Sequence, residues 1–314
     1  MFSLGDIEHR ISLSVGACVF HALNEPVDVL LKHAEIAMYQ AKAAGRDTLR
    51  FYDSAMQAQA NARATMGREL RTAVEDRQFV LHYQPQFDLE SRLIGAEALL
   101  RWQHPTRGLV GPLDFIPFAE EEGLIIPIGH WVLNQACQRL AAWAGMPAFK
   151  GVCISVNISL KQFRQADFVD QVRGALATSG ADASCLKLEI TESLLAVDIA
   201  DVIEKMLLQA EGVGFSLDDF GTGYSSLSYL KHLPLTEVKI DKSFVKDILH
   251  DTSDVAIAKM DVALADCMGL SVIAEGIESA AQRDMLAELG CHGFQGFWFS
   301  KPLDIDQFEQ RFGR

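Results

Sequence analysis

Short apolar runs, most of them about 20–35 residues apart, set the frame for this chain, because that spacing is the length of one strand–helix unit. The runs are Phe79-Val80-Leu81-His82-Tyr83-Gln84-Pro85, Leu93 to Leu100, Val152 to Asn157, Leu186 to Ile190, Gly214 to Asp218, Glu237 to Asp241, Ser271 to Glu275 and Gly293 to Phe297. Amphipathic stretches fill the gaps: Trp131 to Ala144, Phe168 to Ser179, Ile199 to Ala210, Val255 to Met268 and Ala280 to Leu289. Eight strands with intervening helices in roughly 240 residues predict an α/β fold, a (β/α)8 TIM-type barrel. An open doubly wound sheet is the alternative, but no G-x-G-x-x-G follows the first strand. Pro85 predicts that the first strand ends there or lies on an edge.

A second pattern sits on the first. Glu97, Asn157, Glu189, Asp218, Asp219, Lys239, Glu275 and Gln295 lie in or at the ends of these strands. In a barrel the C-terminal strand ends converge on one face, which carries the active site. Five carboxylates there repel one another, and two divalent cations are the simplest way to make them compatible. Oxygen donors with an Asn carbonyl favour Mg2+ or Mn2+ over zinc. Adjacent acids such as Asp218 and Asp219 leave the pleat in different directions, so one can bridge two cations roughly 3.5–4 Å apart while the other holds one. Each residue also has a plain reading. The Asp pair can be a turn with Gly221 and Gly223 at φ > 0. Lys187 and Glu189 can alternate on a polar surface, Asn157 can cap a turn, and Lys239 can form a structural pair. Their joint occurrence at successive strand ends favours a site.

The 314 residues carry a net charge of −14, with 49% hydrophobic and 22% charged residues. That surface argues against binding polymeric nucleic acid through its backbone. No run of 18 apolar residues predicts a membrane span, and Asp6, Glu8, His9 and Arg10 interrupt any leader-like start. Six scattered cysteines without a C-x-x-C pair predict buried thiols and a reducing, cytoplasmic compartment. The histidines form no zincin pattern, and no G-x-S-x-G elbow is present. His104 and His130 read as structural.

Residues 1–52 predict a strand at Ile11–Gly16, a turn at Asn24-Glu25-Pro26, a helix from Val29 to Ala44 stopped by Gly45, and a strand at Thr48–Tyr52. So few elements make a poor core alone. Residues 53–76 predict a helix, either a connector or the first helix of the following domain.

At these residues the chain resembles the EAL-domain family of cyclic di-GMP phosphodiesterases, from about Thr65 to the C-terminus. The resemblance rests on Glu97-Ala98-Leu99-Leu100-Arg101-Trp102, His104-Pro105, Asn157-Ile158-Ser159 and Glu189-Ile190-Thr191-Glu192-Ser193. It continues through Asp218-Asp219-Phe220-Gly221-Thr222-Gly223-Tyr224-Ser225-Ser226-Leu227, Lys239-Ile240-Asp241, Ala274-Glu275-Gly276-Ile277-Glu278 and Gln295-Gly296. It implies a modified (β/α)8 barrel at 77–314 that hydrolyses cyclic di-GMP to linear pGpG with two Mg2+ or Mn2+ ions. By the same resemblance Glu97, Asn157, Glu189 and Asp218 hold the first metal, and Asp218, Asp219 and Glu275 the second. Lys239, Glu275 and Asp219 are the catalytic set, with Lys239 orienting the attacking water. Leu99, Arg101, Asp241 and Gln295 meet substrate, Arg101 at a phosphate. Glu192, Glu278, Thr222 and Gly223 support the loop after the Asp pair. A homodimer is implied. Phe297-Trp298-Phe299 is bulkier than the family's usual run, which bears on the guanine pocket.

Residues 1–52 resemble the C-terminal tail of a GGDEF domain, through Ile11 to Gly16, Ala34 to Lys42 and Gly45-Arg46-Asp47. The Gly-Gly-(Asp/Glu)-Glu-Phe loop is absent from the sequence, so the resemblance implies a remnant without cyclase activity, with sensory and GGDEF domains lying upstream. Two other functions compete: a receptor that binds cyclic di-GMP without turnover, and an unrelated metal-dependent barrel such as an aldolase-type lyase.

Overall fold

The computed structural model describes residues 2–4, 7–9, 12–20, 25–195, 199–221 and 230–313. Thr222 and Gly223 lie outside these residues. The chain divides into two units, Met1–Thr72 and Ala73–Arg314.

In the first unit β1 (Phe2–Leu4) and β2 (Ile7–His9) pair antiparallel. Strands β3 (Val15–Ala17) and β4 (Leu49–Phe51) pair parallel, joined through the helix Val27–Ala43. The helix comes very close to β3 at Gly16: a Cβ there would stand 2.0 Å from Ala34 O. The strand expected at Ile11–Gly16 begins later, because the ladder with Leu49–Phe51 starts at Val15. Among the described residues before Ser54, Ala37 and Ala41 are the buried hydrophobics, while Leu13, Val19, Phe20 and Phe51 are exposed. Small buried side chains under exposed large ones are what too few elements produce. The helix Ser54–Glu75 occupies the stretch expected for it.

The second unit is the barrel. Its eight strands are β5 (Phe79–Asp88), β6 (Leu93–His104), β8 (Cys153–Asn157), β9 (Leu186–Thr191), β10 (Gly214–Phe220), β11 (Glu237–Ile240), β12 (Ser271–Ala274) and β13 (Gly293–Phe294). A short β7 (Gly108–Val110) folds back on β6. Neighbours run β5-β13-β12-β11-β10-β9-β8-β6, and β5 pairs with β6 to close the ring. All these barrel pairings are parallel except those of β5, which runs antiparallel to both β6 and β13. That reversal is the modification of the TIM plan.

The expectation for Pro85 is overturned. The strand continues through it to Asp88, and β5 has neighbours on both sides. Tyr83 exchanges backbone bonds with Leu303, at 2.7 and 2.9 Å, on the side away from β6. Successive residues of a strand bond to opposite sides, so Pro85 also faces away from β6 and its missing N–H breaks no rung of that ladder.

The pleat sorts the strand residues into two sets. Ile154, Val156, Leu186, Leu188, Ile190 and Leu217 are buried on one face. Registers Glu97↔Ser155, Ser155↔Lys187, Glu189↔Ser216 and Ser216↔Glu237 place the polar residues together on the other, the barrel interior. The surface reading of Lys187 and Glu189 therefore fails. The helix Ile125–Trp143 begins before the expected Trp131 because Pro127 falls in its first turn, where no N–H is required. A helix at Pro112–Glu121 was not expected. The buried-thiol expectation holds only for Cys137 and Cys291; Cys18, Cys153 and Cys185 are half-buried and Cys267 is exposed on the helix Thr252–Met268. All six are free.

Toward the N-terminal strand ends, Lys187 Nζ lies 2.5 Å from Glu237 Oε2, and the Glu237 side chain is 2% exposed. Burial works against the Lys187 charge, but Glu237 outweighs it and holds the ammonium above its usual range. Lys187→Met is expected to cost about 3–5 kcal/mol, because it leaves a buried carboxylate unpaired. Turnover should stay within about twofold, since this end of a barrel serves stability. Chemical denaturation and steady-state rates check both halves; an unaltered midpoint would show the pair to be idle.

Candidate active site

Lys239 is fully buried near the centre of the barrel, and carboxylates surround it. Its Nζ lies 2.5 Å from Glu275 Oε1, 2.9 Å from Glu189 Oε2, and 3.7 Å from both Glu97 Oε2 and Asp218 Oδ1. The four acids come from β6, β9, β10 and the residue just past β12. The sequence pattern predicted that convergence, and the barrel delivers it. Burial disfavours the ammonium, yet four surrounding carboxylates outweigh burial and raise Lys239 well above the usual lysine range.

The acids respond unequally. Burial, only partly offset by Lys239, pushes Glu189 well above its ordinary value. The same balance pushes Glu275 up to about 7. Burial also works against Glu97, but Lys239 and the amides of Gln295 and Asn157 outweigh it, so Glu97 stays below its usual value. Those amides donate to it directly: Asn157 Nδ2 to Oε1 at 2.7 Å, and Gln295 Nε2 to Oε2 at 2.6 Å. Although Lys239 stands near Glu189, neither Glu189 oxygen nor the ammonium meets hydrogen-bond geometry.

Asp218 and Asp219 separate through a bulge. The β10–β11 register runs Leu217↔Val238 and then Phe220↔Ile240, so the two acids lie opposite one residue, Lys239. Asp219 takes φ 56°, and its N–H donates to Asp218 Oδ1 at 3.0 Å. A bulge re-aims side chains in this way. Asp218 faces Lys239, half-buried, and Asp219 is exposed. Partial burial and the neighbouring Asp218 and Asp241 raise Asp219.

The remaining predicted residues divide. Leu99 and Arg101 are half-buried on β6. The Arg101 guanidinium donates to Leu100 O at 2.8 Å, and burial lowers its pKa against the pull of Glu97. Asp241 caps the helix Lys242–Lys246, accepting from Ser243 N at 2.9 Å. Burial opposes its ionisation, but the bonds from Ser243 prevail and hold it low. Glu192 is buried at the start of the helix Glu192–Leu195. Glu278 is exposed; its N–H donates to Gln282 at the start of the helix Ala280–Glu288, outside the cluster. His104 is structural as expected, its Nδ1 accepting from Thr106 and Arg107 N at 3.2 Å.

Two site residues escaped the sequence reading. Gln86 Nε2 donates to Gln295 Oε1 at 2.9 Å, and Gln295 Nε2 also reaches Gln84 Oε1 at 3.2 Å. Their signal was available: two buried-strand glutamines two apart, so on one face of Phe79–Asp88.

The donor set fits hard divalent cations. Four carboxylates face one ammonium, both Glu189 oxygens are buried without a hydrogen-bond partner among the described residues, and Asn157 offers an amide oxygen. Among the described residues no three carboxyl, thiol or imidazole groups already converge in ligating geometry. The Lys239 ammonium stands against both Glu189 and Glu275.

A sequence model described as the EAL domain matches residues 67–302. The chain belongs to the EAL domain family. Among curated EAL relatives, the bifunctional diguanylate cyclase/cyclic di-GMP phosphodiesterase MucR of Pseudomonas aeruginosa is 44% identical over 304 residues, which is 96% of this chain and 44% of MucR. The cyclic di-GMP phosphodiesterase NbdA of the same organism is 39% identical over 302 residues, 96% of this chain and 38% of NbdA. The chain thus spans less than half the length of either relative. Among solved structures, a complex of the PaMucR phosphodiesterase with c-di-GMP superposes with a TM-score of 0.75 at 45% identity, covering 78% of this chain and 99% of that one. The EAL enzyme Bd1971, bound to cAMP and cyclic di-GMP, gives 0.78 at 32% identity, covering 92% and 77%. Among the described residues no helix is long and apolar enough to cross a membrane.

Proposed function

We propose that this EAL chain hydrolyses cyclic di-GMP to linear pGpG. The observation that carries the reading is the set of Glu97, Glu189, Asp218 and Glu275 around the buried Lys239 at the barrel centre. Similarity to phosphodiesterases named for this substrate supports the substrate class.

Glu97, Asn157, Glu189 and Asp218 would hold one Mg2+ or Mn2+ ion, and Asp218, Asp219 and Glu275 a second. Bound there, such ions offset the carboxylate charge, neutralise a phosphate and make water acidic enough to supply hydroxide near neutral pH. The side chains do the positioning. Lys239 is fixed by four acids, so its ammonium can orient the attacking water without a rotamer search. Gln295, held by Gln86 and Gln84, keeps Glu97 oriented toward the reacting centre. Arg101 is half-buried in the same strand as Glu97 and suits the planar contact to a phosphate. Leu99 and Asp241 complete the substrate contacts, and Glu192 supports the loop after Gly221.

Residues 1–52 are, in this reading, the tail of a GGDEF domain, 53–76 a connector and 77–314 the phosphodiesterase. The 96% alignment with the bifunctional MucR supports it, because the EAL match itself begins only at residue 67. Six free thiols support a reducing, cytoplasmic setting.

Chromatography of cyclic di-GMP incubated with the protein and Mg2+, Mn2+ or chelator tests the proposal. Metal-dependent pGpG is expected. Tight binding without product in either metal would replace it with a receptor function.

A further inference from the structure

The helix Thr252–Met268 turns Ala258, Asp261, Val262 and Ala265 into the core, and one of these is charged. Asp261 is 0% exposed, and among the described residues neither of its carboxyl oxygens has a hydrogen-bond partner. An aspartate in such a position is costly when ionised. It is not among the ion-pair partners of Lys239 and takes no part in the proposed chemistry.

Its location gives it a use. Gly221, two residues past Asp219, has φ 85°, and a Cβ built on it would stand 3.5 Å from Asp261 Oδ2. The same Cβ would meet Phe244 at 3.2 Å and Ile257 at 3.6 Å. The carboxyl therefore backs the first turn of the segment that leaves the Asp pair. From the Glu192–Leu195 helix the group that acts on it is Glu192, buried and three residues past Glu189. From Lys242–Lys246 and from its own helix the neighbours at this spot are Phe244 and Ile257, both apolar. Burial first, and the Glu192 carboxylate second, push Asp261 up to about 7.

We infer that Asp261 is a positioning residue for the diacid turn: neutral, it packs behind Gly221 and keeps Asp219 and Phe220 in place; ionised, it is driven from Glu192 and loosens that turn. The functional half rests on the phosphodiesterase reading. The structural half does not.

Asp261→Asn, which keeps shape and cannot ionise, separates the two. A raised carboxyl pKa means that the folded state holds a proton the unfolded state releases. Stability due to that proton is complete below the unfolded value of 3.8 and is lost as pH rises through about 7. Asn should therefore match wild type in Tm near pH 4 and exceed it by on the order of 5 °C at pH 8, in chelator. Hydrogen exchange at Asp218–Gly221 should quicken in wild type between pH 6 and 8, relative to chemical exchange, and not in the variant. Where turnover is present, the ratio of variant to wild-type kcat should rise severalfold across the same interval. Asp261→Leu should share the stability gain, which guards against a special effect of the amide. Parallel Tm–pH curves for Asn and wild type would overturn the inference at its root. A stability gain with unaltered exchange and an unaltered rate ratio would overturn the positioning role. If no turnover is seen in any protein, the Tm and exchange arms still decide the inference, while the phosphodiesterase reading fails alone.

Discussion

Glu189→Gln is expected to stabilise the metal-free protein while abolishing its turnover. Glu189 is 1% exposed, and both oxygens lack hydrogen-bond partners. Its pKa is raised because burial outweighs the nearby ammonium, so folding must retain a proton or bury a poorly compensated charge. An amide removes that conflict at constant shape. The gain should be about 1–3 kcal/mol, the penalty of an unsatisfied buried polar group. It should be absent near pH 4 and grow as the pH rises above the unfolded glutamate value of 4.5. Function moves the other way. The amide has lost the negative charge through which Glu189 would hold a cation, so hydrolysis of cyclic di-GMP should fall by about 10³-fold or more. Thermal unfolding in chelator and in Mg2+, alongside product formation, reads both effects. Wild-type rates in the variant would remove Glu189 from the proposed ligand set. A loss of stability in chelator would show that its contact with Lys239 is worth more than its burial costs.

Lys239→Met reverses the sign. The ammonium is the common partner of Glu97, Glu189, Asp218 and Glu275 within 3.7 Å, and it is fully buried. Replacing it leaves four carboxylates facing one another, at a cost of about 3–5 kcal/mol, or on the order of 10 °C in Tm for a unit of this size. In the wild type this contribution is complete below the ordinary lysine value and is lost only as pH rises through the raised one. Between pH 5 and 8 the wild type therefore keeps it throughout. The variant's defect should deepen over that range as its carboxylates lose protons, and Mg2+ should restore part of it by standing in for the missing charge. Turnover should drop by about 10²–10³-fold, the loss that follows removal of one fixed polar group at a reacting centre. A variant as stable as wild type at pH 8 in chelator would contradict the central role given to this lysine.

Much of this was legible beforehand, for identifiable reasons. All eight barrel strands show as apolar runs because the strands of a helix-covered barrel are buried on both faces. The residues Glu97, Asn157, Glu189, Lys239 and Gln295 were recognisable because a polar side chain in such a run needs a reason. Thr222 and Gly223 fall outside the described residues, so their part rests on the sequence alone. Other features were not legible. Pro85 was misplaced because its tolerance depends on which side of the strand its nitrogen faces. Glu278 was assigned with Glu192 to the support of the loop by resemblance alone, and it ends exposed at a helix start. Gln84 and Gln86 were passed over because their partner, Gln295, lies more than 200 residues away.

The sequence by itself determined the strand count, the polar residues carried by seven of the eight strands, and the adjacent acids at the end of the fifth strand of the barrel. These follow from local periodicity and from the cost of placing polar groups in apolar runs. Tertiary structure alone decided how the charges balance. Closing the ring set one ammonium among four acids, so Glu97 is held low while Glu189 and Glu275 are pushed up. It also turned Asp261 inward behind Gly221, on a helix whose sequence reads as ordinary. Electrostatic energy depends on distance and burial in space, and neither quantity is written along the chain.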